Sequence, residues 1–110
     1  MNWKSLTELN QLDIIQEASK HKPQLIFKHS TTCSISKMAL SRMERSEAPD
    51  SIDFYLLDLL NYRSISNAIA EKFHVFHESP QAILIKNGTC IYDESHGAIF
   101  MEEIIEQAHL

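Results

Sequence analysis

The sequence predicts an α/β protein, one domain over residues 1–110, with a central four-stranded mixed sheet flanked by helices and an extra helix at the N-terminal end. Three observations carry this. Leu25-Ile26-Phe27 and the stretch from Ile52 to Leu60 are short apolar runs bounded by turn residues, as expected of parallel strands covered on both faces. Between them Ile35, Met38, Ala39 and Met43 recur at helical spacing, which supplies the crossover that parallel strands need. Asn87-Gly88 then separates two β-rich segments, Gln81 to Lys86 and Thr89 to Asp93, and Asn-Gly readily adopts the positive φ angles of a tight hairpin.

The remaining elements fall into place around these. Ser5-Leu6-Thr7-Glu8 has the spacing of a capping box, and Leu9, Leu12, Ile15 and Ala18 continue it as an amphipathic helix over residues 6–19. Pro23 closes the next turn, the first strand ends near His29, and the helix beginning at Ser34 runs until Pro49. Ile65, Ala68, Ile69 and Phe73 mark a third helical face, and the aperiodic residues 74–79 form a loop before Pro80. After Gly97 a last helix turns Ile99, Phe100, Ile104 and Ala108 inward, with Glu102 and Glu103 near its positive end.

Composition narrows the function classes. Apolar residues make up 44% of the 110 and charged ones 23%, with two Gly and three Pro, the balance of a chain that can bury a core. A net charge of -5 with no basic run excludes non-specific nucleic-acid binding, which draws its affinity from clustered cations. No apolar stretch approaches the roughly 18 residues of a membrane span, and Met1-Asn2-Trp3-Lys4-Ser5 leads into no apolar export segment, so no membrane partner and a cytoplasmic location are expected. Cys33 and Cys90 are too few for a disulfide framework. Each thiol is therefore a question of reactivity.

Cys33 falls between a strand and a helix, where open α/β sheets collect their sites and where a helix N-terminus favours thiolate over thiol. The N–H groups of residues 35 and 36, the hydroxyls of Thr32 and Ser36 and the charge of Lys37 are its expected supports. Cys33-Ser34-Ile35-Ser36 is a C-x-x-S motif, in which a hydroxyl stands where a resolving cysteine is often found. Ser79-Pro80 lies just before the third strand, where a proline is an ordinary strand entry; in the thioredoxin-like arrangement that the element order resembles, a cis bond there would offer backbone groups beside Cys33. Cys90, beyond the hairpin turn, lies a strand length of roughly 15–20 Å from the Pro80 end. It reads as a packed thiol out of reach of Cys33. His74, His77 and Glu78 share one loop, and with no second cluster to complete a ligand set no metal is expected.

The order of elements resembles the thioredoxin-like arrangement. More narrowly, Phe27-Lys28-His29-Ser30-Thr31-Thr32-Cys33-Ser34-Ile35-Ser36 and His77-Glu78-Ser79-Pro80-Gln81-Ala82 resemble the monothiol bacilliredoxins, over nearly the whole chain. Ser34 stands where proline is frequent in that motif. The resemblance implies a thiol-disulfide oxidoreductase with no bound cofactor that uses bacillithiol as co-substrate. It would remove bacillithiol from mixed disulfides on cytosolic proteins through Cys33, a low-molecular-weight thiol completing the cycle. Thr32, Ser34, Ser36, Ser79 and Pro80 would then contact substrate, and His96, just before Gly97, would lie near the Cys33 end of the sheet within reach of the small thiol. Two readings compete. One is a binding protein or iron–sulfur scaffold in which Cys33 holds rather than exchanges, and the scarcity of glycine around the cysteine speaks against it. The other is a dithiol oxidoreductase, against which Ser36 speaks directly.

Overall fold

A computed structural model describes all 110 residues. The chain forms β1 (Trp3–Ser5), α1 (Gln11–Ala18), β2 (Gln24–His29), α2 (Ser34–Arg45), β3 (Asp53–Asp58), α3 (Arg63–Lys72), β4 (Gln81–Lys86), β5 (Thr89–Ser95), a short 3₁₀ turn (His96–Ala98) and α4 (Met101–Ala108). The sheet has five strands, in the order β1-β3-β2-β4-β5. β1, β3 and β2 run parallel, and β4 and β5 are antiparallel to their neighbours.

The four-stranded expectation is thus corrected by β1, which pairs Trp3, Lys4 and Ser5 with Phe54, Tyr55 and Leu56. Three residues are too few to show a period, so this strand is specified by what it packs against. Trp3 meets the rings of Phe27 and Phe54 at 5.9 and 6.0 Å. The leading helix is also shorter than expected. Ser5-Leu6-Thr7-Glu8 does not cap it: the Gln11 side chain instead accepts hydrogen bonds from the N–H groups of Thr7 and Glu8 and donates to the Ser5 carbonyl. Leu9 is consequently exposed, while Leu12 and Ile15 are buried.

Two clusters of twelve buried residues lie on opposite faces of the sheet. One joins α1 and α3 to Ile26, Leu57, Ile83 and Ile85, and the other joins α2 and α4 to Leu25, Phe27, Phe54 and Leu84. The alternation follows from the strand period of two, with both faces apolar because both are covered. On α2 the buried residues are Ser36, Ala39 and Met43, and the helix stops at Arg45, short of Pro49. Ile35 and Met38, expected inside, are 49% and 64% exposed. The inward face has rotated to admit a serine, for a reason that lies in the site.

The hairpin forms as read, with Asn87 at φ 54° and Gly88 at φ 83°. The end of α1 holds it, since Asn87 N–H donates to the Ser19 carbonyl and Gly88 N–H to the Ser19 hydroxyl, both at 2.8 Å. β5 continues to Ser95, two residues past the expected end, and an irregularity in the β4–β5 register lets Ile85 face Cys90. Cys90 is half-buried against the α1–α3 cluster, its thiol donates to the Tyr92 carbonyl at 3.5 Å, and burial pushes its pKa up. No helix is long and apolar enough to cross a membrane.

Candidate active site

The ladder between β2 and β4 ends on the pair Lys28 and Gln81. From that end β2 leads through His29 into the loop carrying Cys33, and β4 begins directly after Pro80. Strand register therefore brings the cysteine loop and the Ser79–Pro80 segment to one end of the sheet. The Ser79–Pro80 bond is cis. His96 is at this end too: its N–H donates to the Pro80 carbonyl at 3.0 Å, and its imidazole stands 3.6 Å from the Glu78 carboxylate.

Cys33 is the N-cap of α2, with φ -100° and ψ 122°. Its N–H donates to the Ser30 carbonyl and its own carbonyl accepts from Lys37 N–H, which closes the first helical turn behind it. The side chain is neither buried nor fully exposed, and both cysteines are free thiols. The expected hydrogen bonds to sulfur are absent. Cys33 makes no side-chain cap bond to the first turn, so α2 acts on it only through the positive end of its dipole. Thr32 places its hydroxyl 3.4 Å from that of Ser30, and Ser34 is exposed.

Ser36 has a different task from the one its motif suggests. It is completely buried, its hydroxyl accepts the Ser30 N–H at 3.0 Å, and it lies 2.7 Å from Nδ1 of His29. The hydroxyl keeps its proton and a second lone pair after accepting the Ser30 N–H, so it can pair with Nδ1 of the neutral imidazole as donor or as acceptor. Burial holds the His29 pKa below the ordinary histidine value, consistent with that neutral form. This chain of bonds ties the first turn of α2 to the end of β2, and it explains why a serine faces inward where Ile35 and Met38 do not.

Beside the expected Ser79, residues that the motifs did not single out as functional complete the site. Lys28 is fully buried, and its ammonium donates to the Ser66 carbonyl at 3.0 Å and lies 3.2 Å from Nδ1 of His77. No carboxylate neutralises it, and burial lowers its pKa to about 8. His77, in the loop before Pro80, is held below its ordinary pKa by burial and by the Lys28 charge. Gln81, also buried, donates from its amide nitrogen to the Phe76 carbonyl and accepts the Glu78 N–H. The hydroxyl of Ser79 is buried without a partner. The one clue in the sequence was a lysine in line with Leu25-Ile26-Phe27, where a strand covered on both faces has no room for an idle charge. No three His, Cys, Asp or Glu side chains converge as a metal-holding group.

Residues 4–104 match the family model described as monothiol bacilliredoxin BrxC. The chain belongs to the monothiol bacilliredoxin family. Among solved structures it is similar to a protein described as a candidate oxidoreductase with a thioredoxin fold, at 33% identity and a TM-score of 0.80, covering 96% of this chain and 92% of that one. Two thioredoxins share the fold at lower identity. That of Fasciola hepatica is 16% identical with a TM-score of 0.72, covering 94% of this chain and 98% of its own. That of Malassezia sympodialis is 17% identical with a TM-score of 0.70, covering 98% and 90%. This bacilliredoxin is therefore a thiol-redox oxidoreductase of thioredoxin fold, and Cys33 occupies the start of the helix that follows its central strand.

Proposed function

We propose that this bacilliredoxin removes bacillithiol from mixed disulfides on cytosolic proteins by a monothiol mechanism. The observation that carries the reading is Ser36. The position three residues after Cys33 is filled by a buried hydroxyl already committed to His29 and Ser30, so no thiol stands there to close a ring. Cys90 offers no substitute, because its ladder partner is Ile85, four residues along β4 from the Gln81 end where the cysteine loop begins.

The thiolate is the attacking form of cysteine. Cys33 sulfur would attack the bacillithiol sulfur of the modified protein, forming one S–S bond as the other breaks. The protein sulfur leaves as thiolate and takes a proton from water. A second low-molecular-weight thiolate then attacks the bacillithiol held on Cys33, and Cys33 leaves as thiolate while the small disulfide departs. No electrons are gained or lost beyond these exchanges. Thr32 and Ser34, which flank Cys33 in the chain, and His96 are exposed and would meet substrate through their side chains, whereas the buried Ser79 hydroxyl and Pro80 ring leave that segment to contribute backbone groups, and Ser36 would act from behind by fixing the helix start.

The test is transfer of the adduct. Incubated with a bacillithiolated protein and no other thiol, the wild type should gain one bacillithiol mass on Cys33 and keep it until bacillithiol is added, whereas Cys33→Ala should gain none and Cys90→Ala should behave as wild type. Transfer that survives in Cys33→Ala, or an adduct that clears without added thiol, would refute the monothiol reading.

A further inference from the structure

The outer face of α2 carries charge in a pattern the chemistry at Cys33 does not require. In a chain of net charge -5, Lys4, Lys20, Lys22 and Lys72 each lie against a carboxylate, yet Lys37, Arg42 and Arg45 have none. The only acid on α2 is Glu44. At 3.6 residues per turn, Met38, Ser41 and Arg45 fall opposite the buried face of Ser36, Ala39 and Met43, with Lys37 and Arg42 to either side. Together these five line a shallow, open recess of about 270 Å³. Its apolar element is Met38, 64% exposed, with Ile35 at 49% beside it toward Cys33. Arg42 is fixed in place, donating to the Gly97 and Ile99 carbonyls and lying 4.4 Å over the Phe100 ring. Arg45 is braced by its bond to the Ser41 hydroxyl.

We propose that this face is the docking surface for an acidic, partly apolar polypeptide segment of the protein whose thiol Cys33 frees, a proposal that rests on the function given above and names its substrate class. Two considerations select a polypeptide. The cations extend along the helix from Cys33 for about 18 Å at 1.5 Å per residue, beyond what a small thiol bonded to that sulfur can span. An extended chain of five or six residues covers the same length at roughly 3.3 Å each. The sign follows from the contrast with the whole molecule: its net charge of -5 disfavours an acidic partner on average, whereas this face gathers three cations without carboxylate partners, so the field orients the encounter so that the partner's modified cysteine meets Cys33.

Two peptides test it, each with one central cysteine held as its bacillithiol mixed disulfide, one flanked by Glu and Leu and the other by Lys and Leu. The ratio of their kcat/KM values is read within one enzyme preparation, so changes in folding or in Cys33 reactivity cancel. At low salt the acidic peptide should react about tenfold faster or more, within the range that steering produces, and the ratio should shrink as salt rises. Arg45→Glu should lower the ratio several-fold, Lys37→Glu with Arg45→Glu should invert it, and Arg45→Gln should fall between wild type and Arg45→Glu. Equal rates for both peptides, or a ratio indifferent to salt and to these substitutions, would overturn the docking surface alone. Exchange with neither peptide would overturn the functional reading and this proposal with it.

Discussion

Replacing Lys28 by Met should make the protein more stable at neutral pH, and by an amount that varies with pH in a defined way. Burial lowers the Lys28 pKa from 10.5 to about 8, and this gap converts to roughly 3 kcal/mol of preference for the neutral amine in the folded state. Because the ammonium lies against His77, whose ring reaches solvent, some screening applies and about 2 kcal/mol is the figure to test. At pH 7 the lysine is charged both folded and unfolded, so the folded state bears the whole penalty. Between pH 8 and 10.5 the unfolded chain holds the proton that the folded one has lost, and stability rises with pH through that window. Lys28→Met removes both the penalty and its pH dependence. Urea unfolding of the two proteins, reduced throughout, should show the variant's advantage shrinking by about 2 kcal/mol from pH 7 to pH 10.5, while ionisations common to both cancel in the difference. A difference constant within about 0.5 kcal/mol over that range would refute the reasoning, whichever protein is the more stable.

Ser36→Ala leaves the Ser30 N–H and the His29 Nδ1 without their partner in a buried place, and should cost about 2–4 kcal/mol in urea midpoint analysis. Ser34→Ala, at an exposed position, should cost less than about 0.5 kcal/mol. Burial lowers the pKa values of His29 and His77 below the ordinary 6.5, so the unfolded chain takes up protons first and stability should fall as pH drops through 6.5. His29→Gln should flatten part of that acid slope in thermal unfolding between pH 7 and 5.

The elements legible in the sequence were those whose pattern is local. Asn87-Gly88 specifies a turn by backbone preference alone, and Leu25-Ile26-Phe27 specifies a covered strand by composition. β1 was not legible, because three residues reveal no period and its stability comes from Phe27 and Phe54, distant in sequence. The start of α1 misled for a related reason: Ser5 and Glu8 have the right spacing, but pairing of Ser5 with Leu56 claims the backbone first. The α2 face was misread because apolar periodicity assumes that the apolar residues face in. Here a hydrogen-bonded serine took the inward position, and Ile35 and Met38 were left outside. Cys33 was found from its place between strand and helix, whereas the bonds that organise its surroundings join residues whose partnership depends on strand register.

That register gives the end of β2 a double role. Successive strand residues point to opposite faces of the sheet, so Lys28 and His29 reach in opposite directions from adjacent positions. His29 meets Ser36 and fixes the helix start that carries Cys33. Lys28, with its ladder partner Gln81, reaches instead into the loop before Pro80, bonding to His77 and to the backbone of Phe76 and Glu78. The two halves of the site are therefore positioned by neighbouring residues of one strand, and a buried cation that costs stability is retained where it holds the proline loop. If that is why it is retained, Lys28→Met should gain stability and lose function together: kcat/KM for a bacillithiolated protein should fall several-fold while the alkylation rate of Cys33 by a small neutral reagent stays within about twofold. A variant that becomes more stable with no loss of exchange would leave the lysine without a positioning role.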